Sequence, residues 1–308
     1  MATLDTAGFA ELFGIDAGDI RDITRSLIQR HDFSYREIVG DERDKLILDV
    51  LKRIDRDQQV IGAEERKEVW YKGWDANLQE FLSTDFALEA LIPKFIRPGQ
   101  PVRLNRSFVF PNNPDFELRF VEVLRSWIFE EFFAPFMNVY EFGCGTGFNL
   151  VPLAQRFPDK KLFGSDFVQS SVDLVNSIAR HYKLNLTATL FDMISPNPDY
   201  RILPSSAVFT FGAIEQLASR FENFVGFLLK QKPALCLHIE PTVELYDDAH
   251  LIDFLGIKFH RKRGYTEGFL PLLQKLAVEG RVEIQRVKRL YFGSLFMEGY
   301  SLIVWRPL

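Results

Sequence analysis

A short run of glycines follows an apolar, strand-like segment in the middle of the chain. Residues 139–148 read Val-Tyr-Glu-Phe-Gly-Cys-Gly-Thr-Gly-Phe, so Gly143, Gly145 and Gly147 alternate with small residues. Glycine accepts positive φ in a tight strand-to-helix turn, and it lets the backbone approach a ligand that a Cβ would exclude. The segment therefore predicts a ligand-binding turn between a strand and a helix.

The spacing of the three glycines restricts the class of ligand. It lacks the extra residue of the dinucleotide fingerprint G-x-G-x-x-G, and the Gly-Lys-Ser/Thr of a P-loop is absent. Glu141 stands at the strand tip, where a carboxylate repels phosphate and attracts positive charge. We therefore expect a cationic ligand rather than a pyrophosphate.

Three further strand-like segments follow the glycines. The segment Lys161–Asp166 ends in an acid 19 residues beyond the last glycine, and Leu186–Met193 contains Asp192. The segment Ala207–Leu217 fits a fourth strand that runs into a helix. Together with the turn, these segments resemble the class I S-adenosylmethionine (SAM) methyltransferases, whose first motif is E/D-x-G-x-G-x-G after a strand.

The resemblance covers roughly residues 137–308 and implies SAM as the cofactor, with S-adenosylhomocysteine (SAH) as its product. It implies that Asp166 binds the two ribose hydroxyls and that Asp192 lies beside the adenine amino group. The residues expected to contact SAM are Glu141, Gly143, Cys144, Gly145, Gly147, Asp166, Phe167, Asp192, Met193 and Phe211. A nucleotide-binding or degenerate, non-catalytic fold is the alternative.

Strand and helix patterns alternate from residue 136 to the end of the chain, as in a parallel sheet covered on both faces. We expect an α/β fold with a seven-stranded, mostly parallel, Rossmann-like methyltransferase sheet over residues 136–308. Residues 1–135 show helical periodicity, as in Leu46–Ile54 and in Phe116–Phe133, which Asp115 can cap. This part is predicted to be a mostly helical cap over the substrate, without a strand-rich stretch.

Four side chains are candidates for catalysis. Ligands of open α/β sheets lie beyond the carboxyl ends of the strands, which places Glu240 beside the methyl acceptor, and Glu215 lies in the segment that follows the fourth strand. His260 and His238 could remove a hydroxyl proton near neutral pH. Each of three candidates has a structural alternative: core packing for His238, a surface position for His260 and a helix cap for Glu215. We rank the bases as Glu240, then His260, then His238.

The acceptor is predicted from the region after the fourth strand. The Asn/Asp-Pro-Pro-Tyr/Phe tetrad of amino-group methylation is absent there. The segments Gly212–Gln216, His238–Pro241 and Gly264–Leu270 resemble bacterial sugar O-methyltransferases, and the long stretch at about 241–282 suggests a substrate lid. We expect methyl transfer to a small molecule, at a hydroxyl of a sugar or secondary metabolite. A nucleic-acid or protein methyltransferase and a non-catalytic SAM-binding protein are the alternatives.

Charge and hydropathy limit the partners. The 308 residues carry a net charge of −5, which gives no general attraction for nucleic acid, and Lys258–Arg263 is the single basic run. The sequence has no stretch of 18 apolar residues and no secretory leader at its start. We expect a cytoplasmic enzyme with a small-molecule partner and no membrane or nucleic-acid partner. A homodimer remains open.

No metal site is predicted. The chain has only two cysteines, which excludes a cysteine-rich zinc site. His238 and Glu240 lie on the same side of a strand, and Asp247 or Asp248 could add oxygen ligands. Pairs of this kind are common without a metal.

Two groups in the N-terminal part could contact an acceptor. Arg103, Asn105 and Arg106 follow a turn, and they suit a carboxylate or phosphate; the alternative is exposed loop charge. The aromatic residues of this part could stack on a planar substrate or pack internally; they are Trp70, Tyr71, Trp74, Phe108 and Phe110.

Overall fold

The computed structural model describes residues 1–61 and 65–308. The helices are α1 (Thr6–Phe13), α2 (Asp22–Arg30), α3 (Gly40–Arg56), α4 (Glu65–Ser83), α5 (Phe116–Ile128), α6 (Leu150–Arg156), α7 (Gln169–Tyr182), α8 (Glu222–Gln231), α9 (Leu251–Arg263) and α10 (Phe269–Val278). The strands are β1 (Ala2–Thr3), β2 (Ser34–Glu37), β3 (Val102–Leu104), β4 (Ser107–Pro111), β5 (Asn138–Phe142), β6 (Lys161–Asp166), β7 (Leu186–Leu190), β8 (Ala207–Phe211), β9 (Leu235–Glu240), β10 (Val282–Lys288), β11 (Phe292–Gly293) and β12 (Ser301–Pro307).

The C-terminal part contains the expected seven-stranded sheet. Its strand order is β10-β12-β9-β8-β5-β6-β7, and β12 runs antiparallel to both of its neighbours. The pairs formed by β5, β6, β7, β8 and β9 are all parallel. One apolar core lies on the face covered by α5, α6 and α7, and another on the face covered by α8 and α10. The order and direction of the strands confirm the expected α/β fold with a seven-stranded, mostly parallel, Rossmann-like methyltransferase sheet, and both of its faces are buried, as a parallel sheet requires.

The N-terminal part contains a second sheet that the sequence analysis did not predict. Its five strands are antiparallel in the order β1-β2-β4-β3-β11, so the expectation of no strand-rich stretch is wrong. Asn105 and Arg106 have φ of 50° and 60° and form the two-residue turn between β3 and β4. Such a turn requires positive φ at both positions. The apolar residues that flank it alternate over too few positions to stand out as strands.

The two long helices predicted in the N-terminal part are present. The segment Leu46–Ile54 lies within α3, and α5 continues through a π-helical turn, Phe129–Phe133. The capping prediction is wrong, because Asp115 precedes α5 without a side-chain hydrogen bond to it. Its φ of −89° and ψ of 16° depart from the extended backbone that a capping residue usually adopts.

The N-terminal and C-terminal parts share elements and cores. Strand β11 comes from the C-terminal part and pairs with β3 of the N-terminal sheet. Helix α9, within the predicted lid segment 241–282, packs on α3 through a core that includes Val50, Ile54, Leu255 and Phe259. Helix α10 instead belongs to the core on one face of the large sheet. The substrate-lid role of the segment stays a prediction.

Arg103 is part of this shared interior. Its guanidinium is fully buried, where Nε donates to Leu295 O at 3.2 Å and Nη1 donates to Ile252 O at 2.7 Å. The expectation of exposed loop charge is therefore wrong for Arg103. Burial lowers the pKa of this guanidinium, opposed by the nearby Tyr246 and Glu298.

A buried ion cluster centres on Arg289. Its guanidinium donates to both carboxylate oxygens of Asp253, at 2.6 and 2.7 Å, and to both of Glu298, at 2.6 and 3.0 Å. Asp253 lies on α9, Arg289 follows β10 and Glu298 precedes β12. The cluster therefore fixes α9 to the edge of the large sheet.

We expect Arg289→Met to destabilise the fold by about 3–5 kcal/mol, because it leaves the buried Glu298 without its cation and the buried Asp253 with only Arg106, at 3.6 Å. Urea unfolding measures the loss. The matched control is Arg306→Met, which removes an exposed pair with Glu283 (2.7 Å) and should cost less than about 1 kcal/mol. Equal losses in the two variants would contradict a structural role for the buried cluster.

Candidate functional site

The turn between β5 and α6 has no room for side chains at its glycines. Gly143, Gly145 and Gly147 have φ of 75°, 51° and 77°, a region that favours glycine. A Cβ on Gly143 would lie 2.4 Å from the Cβ of Ala213, which follows β8. The amide of Gly143 donates to Ser165 O at 2.7 Å, and this bond ties the turn to β6. The turn is a bare backbone surface at the carboxyl end of the sheet.

Asp166 lies beside this turn at the end of β6. Its Oδ2 accepts from the amide of Gly145 at 3.0 Å, and its Oδ1 accepts from the amide of Val168 at 3.0 Å. The side chain is buried, and burial raises its pKa to about 6. The carboxylate therefore orients the glycine turn, and each of its oxygens keeps further lone-pair capacity for a ligand hydroxyl.

The other residues expected at the cofactor lie on the same rim. Phe167 is partly exposed after β6, and Asp192 is exposed after β7, where its Oδ1 accepts from the amide of Ile194 at 2.8 Å. The methyl of Met193 lies 3.5 Å from the Cβ position of Gly143, and Phe211 ends β8. The structure thus brings the predicted set together, and its cofactor role stays a prediction.

Helix α4 covers the glycine turn, a contact that the sequence analysis did not predict. Two indole atoms of Trp74 lie 3.0 and 3.1 Å from the Cβ position of Gly145. The ring of Tyr71 meets Phe167 edge-on at 6.1 Å, and the Thr146 hydroxyl donates to Leu91 O at 2.7 Å. The aromatic residues of α4 were identified from sequence, but only the fold places Trp74 over the turn and Tyr71 against Phe167.

A buried polar pocket adjoins the turn on the side of α5. Glu141 accepts from Asn149 Nδ2 at 2.7 Å through Oε1, and Arg125 donates to the carbonyl oxygen of Phe148. Among the described residues, Arg125 Nε, Glu141 Oε2 and Asn149 Oδ1 have no hydrogen-bond partner. Burial raises the pKa of Glu141 to about 8 and lowers that of Arg125 to about 10, and the charge of each opposes the shift of the other.

Sequence reasoning missed two residues of this pocket. Arg125 interrupts the apolar positions of α5, and Asn149 follows the last glycine by two residues. Arg125 could have been identified from sequence as a residue with a polar partner, because it lies on the buried face of an amphipathic helix and charged residues are rarely buried without a partner. Unpaired polar atoms in such a place require a physical explanation.

Tyr300 and Glu117 form another buried polar contact at the carboxyl end of the large sheet. The hydroxyl of Tyr300 and Oε1 of Glu117 are 3.0 Å apart. Tyr300 immediately precedes β12, and its ring centroid is 5.8 Å from that of Phe211 at the end of β8. Burial raises the pKa of Glu117 to about 7, although the hydrogen bond from Tyr300 opposes the shift. Neither residue was identified from the sequence.

Glu240, the first-ranked base, ends β9 as predicted. Its Oε1 accepts from the Thr210 hydroxyl at 2.7 Å and from the amide of Ala213 at 3.1 Å, and its Oε2 accepts from the amide of Glu215 at 3.2 Å. The carboxylate is buried, which raises its pKa, while these hydrogen bonds oppose the shift. It holds the backbone that follows β8, and its catalytic role stays a prediction.

His238 lies in the core, as its structural alternative proposed. Its Nε2 accepts from the indole N–H of Trp305 at 2.9 Å, since that N–H can only donate. The hydrogen of the neutral ring is therefore on Nδ1, which donates to the Thr210 hydroxyl at 2.9 Å. Burial lowers the pKa of His238 to about 3. Both ring nitrogens are engaged, so neither can take a proton from an acceptor in this arrangement.

His260 and Glu215 lie in different surroundings. His260 is buried on α9, and its Nε2 donates to Thr266 O at 2.9 Å, so the surface position proposed for it is wrong. Burial lowers its pKa. Glu215 is partly exposed in the short helical turn after β8, and its side chain accepts from Gln216 Nε2 at 2.6 Å. The structure does not bring His260 to the glycine turn, and the catalytic roles of both stay predictions.

The predicted lid segment contains an open groove of about 520 Å³. It is lined by Val243, Glu244, Tyr246, Asp247, Asp248, Ile257, Arg261 and Glu267. A narrower cavity beside it includes Glu215 and Glu240 in its lining. Residues 1–61 and 65–308 contain no group of three or more His, Cys, Asp or Glu side chains placed to hold a metal ion. No helix of that same part is long and apolar enough to cross a bilayer.

Comparison with known proteins finds likeness in structure alone. No protein-family model and no curated protein sequence matches the chain. Similar solved structures include a SAM-dependent methyltransferase from Aquifex aeolicus, with 16% identity, a TM-score of 0.38 and coverage of 56% of this chain and 82% of that one. Geranyl diphosphate C-methyltransferase from Streptomyces coelicolor A3(2), in complex with SAH, has 11% identity, a TM-score of 0.44 and coverage of 64% and 87%. Magnesium protoporphyrin IX methyltransferase from Synechocystis PCC 6803, with bound SAH, has 15% identity, a TM-score of 0.37 and coverage of 86% and 97%. The fold assignment rests on the strand order of the sheet itself.

The raised pKa of Glu117 predicts a pH-dependent difference from a Glu117→Gln variant. Below the unfolded pKa of 4.5 the carboxyl is protonated in both states, and its stabilising contribution is fully present. Between pH 4.5 and about 7 the carboxyl is ionised in the unfolded state but still protonated in the folded state, so the stabilising contribution falls as the pH rises. Above about pH 7 the carboxyl is ionised in both states and the contribution is lost. Urea unfolding should show the wild type losing roughly 3 kcal/mol relative to the variant between about pH 4 and about pH 8. Parallel pH curves would show that Glu117 titrates normally in the fold.

Proposed function

We propose that the protein transfers the methyl group of SAM to a hydroxyl of a small molecule, such as a sugar or a secondary metabolite. One observation carries the SAM assignment. Gly143, Gly145 and Gly147 all have positive φ and form a turn at the carboxyl end of the sheet, close to the carboxyl groups of Glu141 and Asp166. This arrangement offers a bare backbone and the negative charge of Asp166 to a ligand that is cationic and carries a ribose, and an ammonium group beside Glu141 would favour the ionised form of that carboxyl. The strand order of the sheet supports the same reading.

The residues around the turn fit the chemical groups of SAM. Asp166 would accept from the ribose hydroxyls, and Asp192 would lie beside the adenine amino group. The indole of Trp74 stands over Gly145, so binding at this position requires the indole to move aside or to form a wall of the site. When bound, SAM supplies an electrophilic methyl group on a positively charged sulfur.

The buried pocket beside the turn fits the amino-acid end of SAM. Arg125 Nε is a donor without a partner, and it suits the carboxylate. Glu141 Oε2 and Asn149 Oδ1 are acceptors without partners, and they suit the ammonium group. A buried polar atom that lacks a partner costs roughly 1–3 kcal/mol, so a zwitterionic ligand would relieve all three penalties together.

A hydroxyl acceptor is the class that the remaining observations support. The absence of the Asn/Asp-Pro-Pro-Tyr/Phe tetrad after β8 argues against amino-group methylation. The net charge of −5 argues against nucleic acid as the acceptor. Calorimetry with SAH tests cofactor binding, and transfer of a labelled methyl group from SAM to a panel of monosaccharides and simple phenols tests the reaction.

We expect Gly145→Val to abolish SAH binding, because the new side chain enters the turn and collides with Trp74. The matched control is Gly280→Val. Gly280 also has positive φ, at 70°, but nothing lies within 4 Å of its Cβ position. Both variants impose backbone strain, while only the first fills the site. Calorimetry showing full SAH affinity in Gly145→Val would contradict the proposed site.

Glu141→Gln and Arg125→Met should weaken SAH by about 10- to 100-fold, since each removes a charge-assisted hydrogen bond to the amino-acid end. Neither should change the affinity for 5′-methylthioadenosine, which lacks that end, by more than about threefold. Glu141→Gln keeps the oxygen that accepts from Asn149, so the turn is preserved. Arg119→Met, on the outer face of α5, serves as the control. Equal losses for both ligands would mean that Glu141 and Arg125 only shape the turn.

A further inference from the structure

Accepting the proposed methyl transfer, we infer that Tyr300 and Glu117 are the groups that take the proton from the acceptor hydroxyl. This inference depends on the proposed function and goes further, because it locates the acceptor between α5 and the ends of β8 and β12. Glu141 and Asp166 keep the roles in cofactor binding proposed above. It also differs from Glu240, His238 and His260, the bases predicted from sequence.

The pair of Tyr300 and Glu117 lies at the end of the large sheet where ligands are expected to bind. Tyr300 stands where β12 begins, and its neighbour Ser301 pairs with Glu240 at the carboxyl end of β9. Because β12 runs antiparallel to β9, the start of β12 lies on the same rim as the ends of the parallel strands. The ring of Tyr300 also packs near Phe211 at the end of β8, with 5.8 Å between centroids. Ligands of such sheets lie at this rim.

The pair is also continuous with the pocket beside the glycine turn. Both Glu117 and Arg125 lie on α5, two helical turns apart, on its buried face. The charge of Arg125 influences the ionisation of both Glu141 and Tyr300, so the four groups share one interior region. A hydroxyl held beside Tyr300 would therefore be close to the amino-acid end of the bound cofactor.

The charges that face the pair favour a proton acceptor at neutral pH. The groups that influence Tyr300 are Glu117 and Arg125 from α5 and Glu215 from the turn after β8. Burial and the two carboxylates raise the pKa of Tyr300, so its hydroxyl keeps its own proton. Burial raises the pKa of Glu117 to about 7, which suits a general base near neutrality.

The other candidate bases are engaged by the fold. Both oxygens of Glu240 accept hydrogen bonds from the segment after β8 or from Thr210. His238 uses both ring nitrogens in the core, and His260 is bound to Thr266 within the predicted lid segment. Glu117 accepts only from Tyr300 among the hydrogen bonds of the described residues. It therefore has the capacity to receive a proton through that single contact.

The proton transfer balances with the methyl transfer. The acceptor oxygen forms a bond to the methyl carbon, and the carbon–sulfur bond breaks with its electron pair on sulfur. The hydroxyl proton of the acceptor passes to the Tyr300 oxygen while the Tyr300 proton passes to Glu117. The products are a methyl ether, neutral SAH and a protonated Glu117, which returns its proton to solvent.

The test uses Tyr300→Phe and Glu117→Gln in the full chain. Phenylalanine keeps the ring that stacks on Phe292 at 5.9 Å, and glutamine keeps the shape of the side chain. The controls are Tyr182→Phe, which removes a hydroxyl bonded to Phe86 O at 2.6 Å, and Glu122→Gln on the outer side of α5. Each protein is assayed for SAH affinity by calorimetry and for methylation of the monosaccharide and phenol panel over a range of pH.

We expect both test variants to bind SAH within about threefold of the wild type while turnover falls by ~10²–10⁴-fold. Wild-type turnover should rise with pH through about 7, and Glu117→Gln should lose this rise. The controls should keep both the rate and the pH profile. A merely structural role would lower stability or SAH affinity without removing the pH dependence.

Three results would overturn the inference. The first is turnover in Tyr300→Phe and Glu117→Gln that matches the controls. The second is a wild-type protein that binds SAH but methylates none of the hydroxyl compounds, which rejects the hydroxyl acceptor and leaves SAM binding intact. The third is a wild-type protein that does not bind SAH, which rejects the proposed function itself.

Discussion

The turn from β5 into α6 excludes side chains at its glycines, and the geometry of the whole site follows from this constraint. Gly143 lies against Ala213, which follows the neighbouring strand β8, so any Cβ would push apart the segments that follow β5 and β8. The amide of Gly145 is held by Asp166, which fixes the same turn to β6. The turn after β5 is thus joined to β6 by backbone amides and one carboxylate, and it packs against the segment after β8. A ligand at this rim meets a surface that was formed before it arrives.

Buried hydrogen bonds give the ends of β8 and β9 similar rigidity. A chain of donors runs from Trp305 to His238, then to Thr210 and finally to Glu240. Glu240 in turn accepts from two amides of the segment after β8. Leaving any member unpaired would cost the desolvation of a buried polar group, so the chain selects one tautomer of His238 and one backbone path. The residues that look most reactive in the sequence serve here to hold the rim.

The N-terminal part cannot be regarded as a separate cover. Strand β11 completes its sheet, α9 packs on α3, and Phe120 of α5 stacks on Phe292 with 3.6 Å between ring centroids. The same part supplies Arg125 to the polar pocket, Glu117 to the pair with Tyr300 and Trp74 to the glycine turn.

The C-terminal sheet could be predicted from the sequence alone, because apolar strands that end in acids or glycines have a local signature of length and periodicity. It located Gly143, Asp166 and Glu240 correctly at strand ends for the same reason. It did not reveal the short strands of the N-terminal sheet, because they form through pairing between segments distant in the chain, such as β2 with β4 and β3 with β11, and not from local pattern. Nor could it pair Tyr300 with Glu117, since 183 positions separate them and only the packing of α5 against the rim brings them together. Burial raises the pKa of both Glu117 and Tyr300, and burial is a property of the tertiary structure alone.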